Sequence, residues 1–368
     1  MKTYLVGGAV RDLLLGRMPK DCDYAFDDKA EAFIQAKPGS CKVGRSVSVL
    51  ILNGVEYTPL AGASLDSDLL SRDLTINSLA LGKDGRIYMH PQAIEDLRTA
   101  CLRLAAPTAL EHDPLRVFRI ARFAAHLPQY SIDSACYELM RKTAEQKLLD
   151  KLPAERVGRE MLKAFEAPQP SRFIYTLAKA GCLLPWFAEC EDMDDIPAGP
   201  AQFHRGSVLQ HTCRIMDSVQ GDSLAVWMAL THDLGKISTD AAILPHHYGH
   251  ERRGKPLAER LAKRLALPKR FERGGMLAAE LHMQAGIYPE LRIGTKHDLL
   301  IRVHYAGFDT AFWKLADTDA GQNRSEQAMR DLHTILAVKL PPDWQGQGKE
   351  SGERLRLLQC EALHRMRD

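Results

Sequence analysis

The chain is predicted to open with an α/β domain and to continue as a mostly helical remainder. Two observations carry this. Residues 1 to about 104 hold short β-rich runs (Tyr4 to Val6, Ser46 to Leu52, Arg86 to Met89) broken by the turn pairs Asn53-Gly54 and Asp84-Gly85. From about residue 107, apolar residues recur at helical spacing, as in Leu115, Phe118, Ile120 and Phe123, with few strand signals. Segment 191–206, with Pro197, Gly199 and Pro200, reads as a linker into a further helical unit. The segment from Glu350 reads as a charged helix with a solvated face.

Composition narrows the class. A length of 368 residues at 45% hydrophobic content supports two to three domains with ample core. A formal charge of +2 restricts any nucleic-acid surface to a local patch. The eight cysteines show no C-x-x-C spacing, which favours reduced thiols over a disulfide framework or a cysteine zinc site. The apolar run before Arg11-Asp12 is too short for a signal-peptide core, and no stretch reaches the length of a membrane span. A soluble cytoplasmic protein is therefore expected.

The first element with chemistry is the predicted strand Tyr4 to Val6 running into Gly7-Gly8-Ala9-Val10-Arg11-Asp12, followed by Asp21-Cys22-Asp23. Glycines after a strand let backbone N–H groups approach a polyphosphate, a following helix adds its positive end, and Arg11 offers a charge-assisted fork. Read as one strand, Asp21 to Phe26 projects Asp21 and Asp23 from a shared face, where a hard cation such as Mg²⁺ offsets their repulsion. The plainer alternative is an ordinary glycine turn and a solvated acidic loop.

The next element is Ser71-Arg72-Asp73-Leu74-Thr75-Ile76-Asn77. It reads either as a buried turn fixed by Asp73 and Asn77 or as an arginine aimed at the same phosphates as Arg11. In Glu111 to Phe123, Asp113-Pro114 is a good helix-start pair, while Arg116, Arg119 and Arg122 rise along one side of the helix. A solvated basic face is the alternative for these arginines.

Taken in order, G-G-x-V-R-D, D-x-D, R-D-x-T-I-N and D-P-x-R-x-x-R-x-x-R-F resemble the class II tRNA nucleotidyltransferases, the CCA-adding enzymes of the polymerase β-like superfamily, over roughly residues 1–165. Glu155-Arg156 resembles that family's next motif. The resemblance implies an α/β palm (head) domain at 1–104 and a helical neck and body at 105–198. It implies Mg²⁺ on Asp21 and Asp23, with Gly8, Arg11, Arg72, Arg119 and Arg122 around the incoming nucleotide. It further implies that Asp113 and Arg116 read the base edge of CTP or ATP in place of a template, with the tRNA 3′ end as partner. A carboxylate accepts from cytosine N4 or adenine N6 and a guanidinium donates to ring acceptors, so the pair has the required polarity. Glu56 is a further candidate carboxylate, with an exposed strand residue as the alternative.

In the helical half, His211, His232-Asp233 and a later Asp319 resemble the HD-domain phosphohydrolases, a domain appended in one branch of the CCA enzymes, where it implies metal-dependent phosphatase and 2′,3′-cyclic phosphodiesterase activity. That resemblance implies an HD-type domain at 199–325, with His211, His232, Asp233 and Asp319 holding a divalent transition metal such as Ni²⁺ or Mn²⁺. Asp317 is the alternative to Asp319, and His247, His250 and His282 are candidates for phosphate or a second metal. Residues 326–368 remain as a helical tail, and the assembly is expected to be a monomer or homodimer.

Two departures from the family pattern matter. The stretch between D-x-D and R-D-x-T-I-N is short, lacking an A-R-T-E segment and a flexible loop linked in the family to adenine addition, so a CC-adding enzyme is the alternative. His112 and Ser71 also stand where the family pattern has a glutamate and a frequent basic residue. Rival readings are a phosphohydrolase with a degenerate nucleotidyltransferase half and a noncatalytic RNA-binding protein.

Overall fold

A computed structural model describes residues 1–43, 49–62, 64–202 and 206–366. It divides into two compact units, Met1–Leu152 with Lys179–Cys182, and Pro153–Ala178 with Leu183–Asp368. The first division falls within the segment 105–198 that the sequence assigns to one neck and body.

In the first unit, β1 (Thr3–Val6), β2 (Asp23–Phe26), β3 (Cys41–Val43), β4 (Val49–Leu52), β5 (Val55–Pro59), β6 (Leu79–Gly82) and β7 (Ile87–Met89) form one sheet in the order β3-β4-β5-β2-β1-β6-β7. The β2–β5 pair is parallel, and the other pairs in this sheet are antiparallel. Two short strands, β8 (Cys101–Leu102) and β9 (Ser131–Ile132), pair separately. Of the expected strand Ser46 to Leu52, residues 46–48 lie outside the described residues and the remainder is β4. Asn53 and Gly54 both take positive φ (52° and 78°), which matches a tight hairpin to the strand twist.

Helices α1 (Gly8–Leu14), α2 (Ala30–Ala36), α3 (Leu65–Ser71), α4 (Ala93–Arg98), α5 (Ala109–His112), α6 (Arg116–His126) and α7 (Ser134–Glu145) complete this unit. Alternation along β1 sends Tyr4 and Val6 to one face, where Ala25, Ala80 and Leu69 of α3 join them. Leu5 goes to the other face, packed with Val10 of α1 and Ala93 of α4.

The second unit is helical, and its helices, with α9 running on into Lys179 and Ala180, are α8 (Ala154–Phe165), α9 (Ser171–Ala180), α10 (Val208–Ser218), α11 (Ser223–Thr231), α12 (His250–Arg264), α13 (Lys269–Gly286), α14 (Ile293–Ala306), α15 (Asp309–Ala320), α16 (Ser325–Ala337) and α17 (Lys349–Arg365). Helix α11 is buried from Leu224 through Thr231, as its uniformly apolar sequence requires, and Asp222 caps it by accepting the Leu224 and Ala225 amides. Its C-terminal end therefore delivers His232 and Asp233 into the interior. Gly235 follows: a Cβ there would lie 1.9 Å from the carbonyl oxygen of His250, so only glycine lets α12 approach this closely. The C-terminal helix is more than a solvated face. Leu363 is buried, and buried Gln359 donates to the Ile335 carbonyl (3.1 Å) while its Oε1 lies 2.8 Å from His297 Nε2.

Candidate active sites

The glycine turn of the first unit sits between two guanidinium groups. Gly7 takes φ +70°, and a Cβ there would lie 3.3 Å from Arg72 Nη1; a Cβ on Gly8 would lie 3.4 Å from Arg11 Nη2. Arg72 is held at the end of α3 by buried Asp68, whose Oδ2 accepts from Nε (3.0 Å) and Nη2 (2.8 Å), while Oδ1 accepts the Ala61 amide (2.9 Å). Arg11 donates to Asp12 (2.8 and 3.0 Å) and to Asn77 Oδ1 (2.8 Å). Asp68 escaped the sequence reading, in which Asp12 figured only as part of its motif; the i,i+4 spacing of Asp68 and Arg72 was the available signal.

Asn77 continues the network by donating to Asp73 Oδ1 (3.1 Å), and Arg119 donates to Asp73 Oδ2 through Nε (2.9 Å) and Nη2. Burial raises the Asp73 pKa, but the Arg119 charge and the bonds from Asn77, Arg119 and the Leu74 amide outweigh it and hold the carboxyl below its usual range. The first reading of this element holds: Asp73 and Asn77 fix a buried turn, and Asn77 also accepts from Arg11. Arg116 donates to the backbone carbonyls of Arg72 (3.1 Å) and Ser71, tying α6 to that turn. Asp113 Oδ1 accepts the Leu115 amide (3.3 Å) at the entrance to α6, which begins at Arg116. Arg122 lies 4.7 Å from the centroid of the Phe123 ring. His112 Nδ1 lies 2.8 Å from the Thr108 carbonyl.

Only part of the expected carboxylate strand is a strand. The ladder between β1 and β2 ends at Val6 with Asp23, because β1 turns at Gly7 into α1 and leaves residues 21 and 22 without a partner. Asp21 therefore lies just before the strand, and the shared-face argument does not extend to it. Asp23 gains a different neighbour. Tyr24 and Tyr57 are in register across β2 and β5 and stack at 5.2 Å, so Asp23 and Glu56 occupy adjacent positions on the opposite face. All three carboxylates are exposed. Asp23 and Glu56 thus supply neighbouring oxygen donors, the ligand type that Mg²⁺ takes, and Asp21 stands outside that pair.

The second unit gathers a buried histidine–aspartate cluster. Asp233 Oδ2 lies 3.2 Å from His232 Nε2 and 3.5 Å from His211 Nε2, while Oδ1 lies 3.3 Å from His250 Nε2 and 3.5 Å from His282 Nε2. Asp319 Oδ1 closes the first side, 3.1 Å from His211 and 3.8 Å from His232. Two ligand groups result, His211/His232/Asp233 and Asp233/His250/His282, with Asp233 common to both. Asp317 instead accepts the amides of Arg324 and Ser325 (2.6 and 2.9 Å), so of the two aspartates Asp319 faces the cluster. His247 does not enter it. Its ring nitrogens engage Thr239 Oγ1 and the Pro197 carbonyl, each at 2.8 Å, and pin the loop before α12.

The hydrogen bonding of these rings tests whether a cation fits. His232, His250 and His282 each turn Nδ1 toward backbone carbonyls, of Ala229 (2.7 Å), His247 (2.8 Å), and Ala278 and Ala279 (3.0 and 3.1 Å). Carbonyls only accept, so Nδ1 carries the proton and neutral rings aim their Nε2 lone pairs at Asp233. Asp233 Oδ1 is buried with no hydrogen-bond partner. Lone pairs converging on a buried carboxylate repel unless a cation sits among them, and imidazole with carboxylate suits a divalent transition metal. His211 differs: the Arg214 guanidinium lies 2.9 Å from its Nδ1.

Without a metal, protons and Lys236 carry the charge. Burial lowers the His232 pKa, but the charge and hydrogen bond of Asp233 lift it to about 9. Burial raises the Asp233 pKa, and His232 and Lys236 drive it well below the carboxylate range. Burial dominates at His282 and lowers it. Lys236, another residue the sequence reading missed, is buried with Nζ 2.7 Å from Asp233 Oδ2 and 2.8 Å from the Ala198 carbonyl. Its i,i+3 spacing from Asp233 was the signal.

Comparison with known proteins places this geometry. A family model described as the poly A polymerase head domain matches residues 3–47, and one described as a probable RNA- and SrmB-binding site of polymerase A matches residues 129–193. The multifunctional CCA protein of Pasteurella multocida is 36% identical over 326 residues, covering 80% of this chain and 77% of the relative. That of Xanthomonas oryzae pv. oryzae is 35% identical over 335 residues, covering 82% and 80%. The fold is shared with the Bacillus stearothermophilus CCA-adding enzyme solved with CTP, at 21% identity and a TM-score of 0.70 over 99% of this chain and 89% of that one. It is also shared with the Thermotoga maritima CCA-adding enzyme solved with tRNA, at 17% identity and a TM-score of 0.67 over 98% and 87%. No helix among the described residues is long and apolar enough to cross a membrane. At this identity and coverage, the chain belongs to the multifunctional CCA protein family, the CCA-adding tRNA nucleotidyltransferases.

Proposed function

We propose that the first unit adds and repairs the 3′-terminal CCA of tRNA from CTP and ATP, and that the second unit hydrolyses phosphate esters at its histidine–aspartate cluster. The observation that carries the first activity is the glycine turn between Arg11 and Arg72, with Asp23 in register with Val6, the residue before that turn. Arg11 and Arg72 bind the triphosphate, fixed in place by Asp12, Asn77 and Asp68. Asp113 accepts from the amino group of cytosine or adenine and Arg116 donates to the ring, so guanine and uracil meet the wrong polarity. The 3′-hydroxyl attacks the α-phosphate in line and pyrophosphate leaves. Asp21 and Asp23 would hold Mg²⁺, which would supply charge stabilisation at the attacking and leaving oxygens.

The second activity rests on three histidines whose Nδ1 protons are committed to carbonyls while their Nε2 atoms converge on Asp233. His211, His232, Asp233 and Asp319 hold one divalent transition metal such as Mn²⁺ or Ni²⁺, and Asp233, His250 and His282 a second. Held there, such ions would supply an activated water for attack on a phosphate. Lys236 offsets the charge of Asp233.

The short link between β5 and α3, residues 60–64, keeps CC addition alone as a second reading. Incubation with Mg²⁺, labelled ATP and a tRNA ending in CC decides between them. Incorporation of one adenosine is expected; incorporation of cytidine on a shorter tRNA without adenosine establishes the CC-adding enzyme.

A further inference from the structure

The second unit carries a dense local charge that neither site uses. Between His250 and Arg273 lie nine lysines and arginines and three glutamates, in a chain whose net charge is +2. The residues form α12 and the start of α13, an antiparallel pair in which His250 meets His282 at one end. Arg252, Arg260, Lys263, Lys269, Arg270 and Arg273 are exposed. Some cations in this stretch are paired: Lys263 with Glu259, Lys269 with Glu272, and Lys255 with Glu280. Arg252, Arg260, Arg270 and Arg273 make no ion pair among the described residues. On α12, Arg252, Arg260 and Lys263 share the face opposite buried Gly254, Ala258 and Leu261, along ~16 Å of helix.

A second feature adjoins the end of this strip that holds the histidine–aspartate cluster. His246 and Tyr248 stack at 5.6 Å with their rings 4° from parallel, and Tyr248 is 70% exposed. The platform is held firmly although its outer face is open. Arg253 donates to the Tyr248 carbonyl (2.7 Å) and to Ser238 Oγ (3.0 Å), and His247 between the two rings is pinned at both nitrogens. Tyr248 lies two residues before His250, whose Nε2 faces Asp233.

We propose that the α12–α13 strip and the His246–Tyr248 stack form a docking surface for single-stranded RNA that presents a phosphate-bearing 3′ end to the histidine–aspartate cluster. Cations along a strip with an aromatic platform at its end supply the backbone and base contacts that hold a single strand without reading its sequence. The cations carry the backbone, and Tyr248 carries the terminal base. The proposal rests on the phosphohydrolase reading of the cluster and adds its substrate class, an RNA end in preference to a free nucleotide.

The test uses the full chain loaded with Mn²⁺ and two probes, adenosine 2′,3′-cyclic phosphate and a short RNA oligonucleotide ending in a 2′,3′-cyclic phosphate. The wild type is expected to favour the oligonucleotide in kcat/KM. In R252Q/R260Q/R270Q that preference falls about tenfold or more, and the salt slope of oligonucleotide binding falls by about 2, at about 0.7 per phosphate contact. In Y248A the oligonucleotide KM rises about tenfold and Y248F restores it. An unchanged preference and salt slope in the triple variant overturn the docking surface, as does polyglutamate competing as well as RNA. Hydrolysis of neither probe by the wild type removes the phosphohydrolase reading instead. Oligonucleotide binding by fluorescence anisotropy then judges the surface alone: weaker binding by the triple variant sustains it, and equal affinity overturns it.

Discussion

In the first unit, Arg11, Asn77, Asp73 and Arg119 alternate donor and acceptor so that each charge meets its complement within the protein. In the second, four imidazoles and two carboxylates crowd together, with Lys236 also on Asp233. The first arrangement is complete as folded, each of these groups meeting a partner inside the unit. The second keeps an unsatisfied carboxylate oxygen in its interior, which is costly unless a cation is supplied. A polar cluster that closes on itself is a support, and one that leaves a buried acceptor unpaired is a candidate cation site.

The largest expected effect follows from that difference. Saturating Mn²⁺ or Ni²⁺, at about 100 times its Kd, stabilises the second unit by about 2.7 kcal/mol, read as a rise in its melting temperature. H232A abolishes the rise. A rise of the same size in H232A breaks the comparison. Next, D73A costs about 2–3 kcal/mol in the unfolding of the first unit. This is below the figure for a fully buried pair because Arg119 is 34% exposed. A cost under about 0.5 kcal/mol shows that the network does not support the site.

The two clusters also fail at opposite ends of the pH scale. Asp73 titrates below its unfolded value of about 3.9, so its stabilisation is present above that pH and is lost as pH falls through the lowered value. His232, raised to about 9, stabilises chelator-treated protein fully below its unfolded value of about 6.5 and loses that contribution as pH rises through about 9. Urea denaturation across pH, with wild type, D73N and H232A, assigns the limbs. An alkaline limb retained by H232A contradicts the second assignment. The smallest effect belongs to Glu56: E56Q lowers kcat for nucleotide addition with little change in nucleotide KM, and an unaltered kcat leaves Glu56 as an exposed strand residue.

Much of this was legible in the sequence because motif spacing survives folding. Gly7-Gly8, Arg72-Asp73 and the helix from Arg116 lie where the α/β and helical patterns put them. The details depended on tertiary partners. Asp21 falls outside its strand because β1 bends away at Gly7, which local alternation does not reveal. Arg119 reaches Asp73 and Arg116 reaches the Ser71 and Arg72 carbonyls across some 45 residues of chain. Asp317 and Asp319 stand two apart on one helix and point to different sides, so only packing decides which faces the histidines. His247 resembles a ligand by its neighbours in sequence, yet it serves as a loop pin.

The central claim is that one chain carries two separate catalytic centres. Its most direct measurement is a crossed assay of D21A, D23A and D233A for labelled CTP and ATP incorporation into tRNA and for metal-dependent phosphatase activity. The predicted result is loss of incorporation in D21A and D23A, by at least the order of 10²–10³-fold, with phosphatase activity retained. D233A shows the reverse. Loss of both activities in any one of the three folded variants contradicts the account.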